Sequence, residues 1–409
     1  MSELIADIKE LLGSGLFPSL PGRRARLWKD GRNVTFADQL VETALGQFLM
    51  FDPEQASSVT GVKASVIAGI PTVFFGTLTK LWQWDVTNGL EDLSGTTYTG
   101  TTEDLWVFAR FGDFMLATNN VDPLQVYKGV TDFEDLAGTP FTRCKTIYAT
   151  DTHLLAFNTS NGGNFIEWTD ADDIEDWTAT STNDAGNVPK RNLDSDILAV
   201  KTLGKAIAVY TFNEMLLMDF VGRPFVFRSE LLLEGFGAVG VNAIAASGRQ
   251  HYGIGRRGIW TTDGISFDFI QNPAMQKFVY RDAATRIDLD TIGLTVGWLD
   301  QLQNQIVFYY TTEAGPGYND IGIGIEIDTG AWSVYDFGRT AVDDSGVFPF
   351  AITADRLGNV YQQSVTGVPT TTGQQGVIDL TETSFSVSMG LGEGGLGEGG
   401  LGGFTGGAG

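Results

Sequence analysis

The sequence predicts an all-β chain arranged as a β-propeller. Three observations carry that reading: short apolar strands that alternate cleanly, tight turns at a regular spacing, and a composition rich in aromatics and glycine. The chain has 409 residues, with 27 Phe, 9 Trp, 11 Tyr and 52 Gly. Many short strands joined by glycine turns produce this mixture. A chain of this length buries a large core, because about three quarters of the unfolded surface is already lost near 300 residues. At 43% hydrophobic and 19% charged residues, the body is not disordered.

The propeller body is expected over residues 64–365. Its units lie side by side as "ASVIAGIPTVFFGTLTKLWQWD", "WVFARFGDFMLATNNVDPLQVY", "TIYATDTHLLAFNTSNGGNFIEW", "LAVKTLGKAIAVYTFNEMLLMDF", "AIAASGRQHYGIGRRGIWTTDG", "LTVGWLDQLQNQIVFYYTTE" and "FAITADRLGNVYQQS". Turns after the first strands are expected at Gly112-Asp113, Asp151-Thr152, Gly204-Lys205, Gly248-Arg249, Asp300-Gln301 and Leu357-Gly358. They recur roughly every 40–55 residues, the period of propeller blades. In "KAIAVYTF", Ala206, Ala208 and Tyr210 face one way and Ile207, Val209 and Thr211 the other. Trp82, Trp84, Trp168 and Trp260 are expected to fill the space between blades. A pair of β-sandwiches would use the same strands, but the likeness of the units favours the propeller.

Flanking the body are three further segments. Residues 1–63 hold a short helix over 2–12, where Ser2 caps and Leu4, Ile5, Ile8, Leu11 and Leu12 form one stripe. Gly13 follows as a helix terminator. Then Arg23, Arg24, Arg26, Lys29 and Arg32 place five of the 26 basic residues within ten positions. In an acidic chain this reversal of sign is a candidate docking segment, or simply a solvated loop and hairpin turning at Asp30-Gly31. Residues 366–389 end in "TETSFSVSM", which alternates like a half-buried strand. Over residues 390–409, twelve of twenty are glycine, with Leu391, Leu396 and Leu401 five apart. Glycine loses the most backbone entropy on ordering, so such a tail needs contacts from neighbours to hold it. A spacing of five distributes the leucines around all faces of an extended helix, which suits burial among several chains. Leu391, Leu396, Leu401 and Phe404 are therefore candidate inter-subunit contacts.

Charge and chemistry narrow the function. The net charge is −24, which disfavours stable nucleic-acid binding, because that affinity comes from Lys and Arg neutralising phosphates. It suits equally a soluble surface or one that DNA must slide past. Cys144 is the lone cysteine, so no intrachain disulfide forms and a reducing compartment is expected. With it and only His153 and His251, a structural zinc site is nearly excluded and a triad has little material. The N-terminus lacks the apolar core of a signal peptide, and no apolar run is long enough to span a membrane. No GxxxxGK[ST] loop and no GxSxG elbow occur, and no GxGxxG opens a helix after a strand. Carboxylates are abundant enough that a glycoside-hydrolase pair is not dismissed by counting. "WTDADDIEDW" faintly resembles a calcium loop, but reads more simply as a charged edge loop with both tryptophans tucked under it. Asp263-Gly264 and Thr329-Gly330 suit tight hairpins flanked by Trp260 and Trp332. They resemble sialidase Asp-boxes loosely, without an identifiable cluster of three arginines.

Read together, several stretches resemble the tail-hub (nozzle) proteins of short-tailed bacteriophages, including those described as packaged-DNA stabilisation proteins. They are "NVTFADQLVETALGQFLMF", "TKLWQWD", "WVFARFGDFMLATNNVDPLQVYKGVTDFEDLAGTPF", "LLAFNTSNGGNFIEWTDADDIEDW", "IAVYTFNEMLLMDFVGRPFVFRSELLLEGFGAVGVNAIAASGRQHYGIGRRGIWTTDG" and "NPAMQKFVY". These keep one order and cover about residues 30–285. "LWKDGRNVTFADQL" departs from the usual form, and the C-terminal third matches poorly. The resemblance implies a virion protein without enzymatic activity or cofactor, assembled in the host cytoplasm. It implies a homo-oligomeric ring, six-fold, below the portal and adaptor rings. That ring would extend and close the DNA channel, guide DNA ejection and mount tail fibres or spikes, with double-stranded DNA passing transiently. The basic stretch would then contact the ring above, and the glycine tail would pack on neighbours or constrict the mouth. A different class stays open: a peripheral propeller that binds or cleaves host surface glycan.

Overall fold

In a computed structural model, the described residues are 33–37, 40–43, 46–50 and 57–365. The expected helix over 2–12, the basic stretch and everything beyond 365 lie outside them. The described chain is all-β, with seven four-stranded antiparallel sheets. Innermost strand first, blade 1 is Val59–Ile67, Ile70–Thr77, Leu81–Asp85 and Gly89–Asp92. Blade 2 is Val107–Phe111, Phe114–Thr118, Gln125–Tyr127 and Glu134–Asp135. Blade 3 is Cys144–Ala149, Leu154–Thr159, Gly162–Trp168 and Gly186–Pro189. Blade 4 is Ala199–Leu203, Ala206–Tyr210, Glu214–Gly222 and Val226–Glu234. Blade 5 is Ile244–Ser247, Gln250–Ile254, Ile259–Thr262 and Phe267–Phe269. Blade 6 is Val296–Asp300, Gln305–Tyr310, Ile321–Glu326 and Trp332–Tyr335. Blade 7 is Ala341–Asp343, Ala351–Ala354 and Val360–Val365, completed on its outer edge by Gly46–Leu49. The first strand of blade 1 runs across the boundary drawn at residue 63.

That last pairing closes the ring. Gly46 opposes Val365 and Leu49 opposes Tyr361, so blade 7 joins strands from the two ends of the described chain. Next to it, the hairpin of Val34–Ala37 and Leu40–Thr43 approaches blade 6. There Asn33 N donates to Val334 O (2.7 Å) and Asp336 N donates to Asn33 Oδ1 (2.9 Å). Of the expected turns, five join first to second strands; Leu357-Gly358 instead joins the second and third strands of blade 7. Its first strand, Ala341–Asp343, is too short for its alternation to be visible in sequence.

The core is distributed. Each neighbouring pair of blades encloses its own apolar cluster. Strand alternation explains this: every blade is apolar on both faces, so each must be covered on both sides. Ile207 and Val209 pack toward blade 3 with Trp168, while Ala208 and Tyr210 pack toward blade 5 with Trp260. Trp82 and Trp84 face blade 7. Burial of each large apolar side chain stabilises by about 2 kcal/mol. The helix α1 (Pro273–Tyr280) follows blade 5. Asn272 caps it, accepting from Ala274 N (3.2 Å) and Met275 N (3.1 Å), with Pro273 in its first turn. It inserts Ala274, Met275 and Val279 between blades 5 and 6. Among the described residues no helix is long and apolar enough to cross a membrane.

Candidate functional site

The ring arrangement creates three places where side chains converge. The first is the central channel, bounded by the innermost strands. A cavity of about 340 Å³ there is lined by Lys63, Arg110, Tyr148, Lys201, Asn242 and Asp343, among others. Asp343 is buried and holds the seam between blades 7 and 1. It accepts from Lys63 Nζ (2.7 Å), Ala64 N (3.1 Å) and Ser345 Oγ (2.5 Å). Asp344 does the same for blade 6, accepting from Leu299 N (2.9 Å). These carboxylates bind the exposed edge of a neighbouring strand, a structural use of charge.

At the end where the innermost strands begin lies a second axial cavity of about 310 Å³. Ser58 and Thr60 of blade 1, Thr102 and Leu105 before blade 2, Tyr318 of blade 6 and Arg356 of blade 7 surround it. The Arg356 guanidinium lies 4.0 Å from the Tyr318 ring centroid, a cation–π contact.

The third place is peripheral. Blade 4 ends in a hairpin of two nine-residue strands, Glu214–Gly222 and Val226–Glu234. Its tip exposes Phe220, Val221 and Phe225, the last at 75%. Positive φ at Gly222 and at Val226, and the cis Arg223–Pro224 bond, shape the turn. Behind it runs a groove of about 780 Å³, walled by Trp168, Asn183, Lys190, Arg223 and Phe225 among others. Asp184 anchors the tip through an ion pair with Arg223.

The sequence candidates for chemistry are placed in structural roles. His251 is fully buried, with Nδ1 2.7 Å from Tyr210 Oη and Nε2 2.8 Å from Thr202 O. In the neutral tautomer Nε2–H donates to that carbonyl and Nδ1 accepts from the phenol. Burial pushes its pKa down to about 4. His153 is buried beneath the blade 4 hairpin against Phe220 and Phe227, and burial lowers its pKa too. Two blade faces separate the histidines, so they share no site. Cys144 is buried at the junction of blades 2 and 3, and burial pushes its thiol up to about 12. In "WTDADDIEDW", Trp168 and Trp177 are buried, Glu175 pairs with Lys128 Nζ (2.8 Å), and Asp170 and Asp173 bind their own loop. Asp170 Oδ1 accepts from Asp184 N (2.6 Å), and Asp173 Oδ1 accepts from Glu175 N (2.9 Å). Among the described residues no three or more His, Cys, Asp or Glu side chains are grouped to hold a metal. Asp263 closes its hairpin as expected, accepting from Ile265 N (2.8 Å) and Ser266 N (2.9 Å).

Arg23, Arg24, Arg26, Lys29 and Arg32, with Leu391, Leu396, Leu401 and Phe404, lie outside the described residues. Sequence reading missed the blade 4 tip and the Arg356–Tyr318 pair. The tip had a signal: two long alternating runs around "VGRPF". The pair had none, because ring geometry brings together two loops far apart in the chain.

No family model matches this chain, and no curated protein matches it.

Proposed function

We propose that this chain is a structural subunit of a ring-shaped tail hub in a short-tailed bacteriophage. The carrying observation is the blade 4 hairpin, which holds Phe220, Val221 and Phe225 in solvent beside a groove. A contiguous exposed apolar patch of this kind marks an interaction surface. The occupant we assign is a neighbouring copy of the chain, since a protruding element that seats on a different surface of the next copy makes a head-to-tail contact, and such contacts form a ring when the rotation closes. The resemblance in the sequence supports the same reading, as does the net charge of −24 on a wall that DNA must pass without sticking. In this reading the subunit acts without catalysis. It extends the channel below an adaptor ring, and the segments before residue 33 and after 365 meet that adaptor and the fibres.

Electron microscopy of the purified full chain or of particles tests the proposal, with rings expected. The double variant Val221→Ser, Phe225→Ser should abolish rings while leaving the monomer folded, because exposed substitutions change stability by only about 0.5 kcal/mol. A monodisperse monomer absent from tail particles, or rings that survive the double variant, would overturn the assignment.

A further inference from the structure

We propose that the axial cavity beside Arg356 is a binding site for a single acidic sugar ring, such as a uronic acid. The cavity joins three kinds of wall that together fit this class. Leu105 and Leu294 are buried and apolar and, with the Tyr318 ring, form a surface for the non-polar face of a pyranose. Ser58, Thr60 and Thr102 supply hydroxyls. Thr60 is only 1% exposed and its hydroxyl has no hydrogen-bond partner. An unpartnered buried hydroxyl is costly and unusual. Arg356 supplies the charge. Among the described residues it forms no ion pair, and it lies over the Tyr318 ring.

The surrounding carboxylates hydrogen-bond elsewhere and do not pair with that guanidinium. Asp320 accepts from Thr312 N (2.8 Å) and Thr312 Oγ1 (2.7 Å). Asp355 accepts from Leu357 N (2.8 Å) and Tyr361 Oη (2.9 Å). Asp104 accepts from Thr101 N and Thr101 Oγ1, both at 2.8 Å. Each neighbouring carboxylate therefore serves its own loop. Asn319 fixes the walls, donating to Leu294 O and Arg339 O, both at 2.8 Å. Thr340 is likewise engaged, donating to Val59 O (2.5 Å). The site is thus rigid where the ring is built and open in hydrogen bonding where a ligand would sit.

Size and charge set the ligand. A volume of about 310 Å³ lies at the lower end of small-molecule sites, which run from about 300 to 1,000 Å³. It admits one ring, not a chain. A guanidinium pairs best with a planar carboxylate through two parallel hydrogen bonds. One arginine, rather than three, also separates this cavity from the sialidase arrangement that the Asp-Gly hairpins loosely resemble. The inference stands apart from the tail-hub reading, because a chain that never forms rings can still bind here.

Calorimetric titration of the full chain with glucuronate, glucose and inorganic phosphate tests it. Glucuronate should bind, and glucose should bind at least about ten-fold more weakly, the loss of one charge-assisted pair. Arg356→Gln should weaken glucuronate by a similar factor, while Lys201→Gln in the other axial cavity should leave it unchanged. Absence of glucuronate binding to the wild type, phosphate binding as tight as glucuronate, or undiminished binding by Arg356→Gln would each overturn the proposal. Should Arg356→Gln not fold, the wild-type preference for glucuronate over glucose and phosphate decides alone.

Discussion

Single side chains in this protein act mostly as seams between blades, and the two histidines show the consequence for pH. His251 joins blade 4 to blade 5 and is held neutral, with a pKa pushed down to about 4. A histidine in the unfolded chain takes a proton near pH 6.5. Between those values the unfolded state binds the extra proton, so stability falls as the pH drops from about 6.5 to about 4. The fully developed loss is about 3 kcal/mol for this residue. His153 has its pKa lowered in the same direction and adds to the fall. Urea denaturation across this range should show the decline, and His251→Gln should remove about one proton from the uptake on unfolding. Space is equally constrained at Gly76. A Cβ there would sit 2.2 Å from Trp106 Cδ1, and that indole is fixed by donation to Thr77 O (2.8 Å). Gly76→Ala should therefore cost about 2 kcal/mol or more, measured by the same titration.

At the level of elements, the four-stranded sheet was legible wherever a strand was long enough to alternate. "KAIAVYTF" showed both of its faces because each packs on a different blade, and Trp168 and Trp260 marked those two interfaces. The first strand of blade 7 was not legible: three residues, Ala341–Asp343, give no period to read. Nor was the source of that blade's outer strand, since pairing Gly46–Leu49 with Val360–Val365 depends on ring closure rather than local sequence. The same reason hid the axial cavity. Its arginine and tyrosine lie on separate blades, and nothing near either residue announces the other. The latch on the closing strand is Arg339, fully buried, with its Nη2 donating to Gln47 Oε1 and its Nε to Thr353 Oγ1 (3.1 Å). Phe337 and Tyr361 lie 4.6 and 4.7 Å from its guanidinium. Arg339→Ala should cost about 3 kcal/mol, combining lost cation–π packing with stranded acceptors. Limited proteolysis should then cut first within residues 341–365; unchanged resistance would show that Gln47 is not held this way.

The whole molecule is a closed loop of similar interfaces with no shared centre, so each blade depends on two neighbours. Its cooperativity comes from closure, which makes the seam at blade 7 matter out of proportion to its length. Geometry at that seam also has a mechanical meaning. Gly46 and Val365 face each other across antiparallel strands, so the start of one strand and the end of the other lie side by side. Tension applied between them would peel the ladder one hydrogen bond at a time instead of loading all bonds together. A single-molecule pulling experiment on the chain tethered through residues 45 and 366 should detach blade 7 at low force before the other blades yield. Force on those two strand ends would open the ring at one defined place and leave the remaining blades standing.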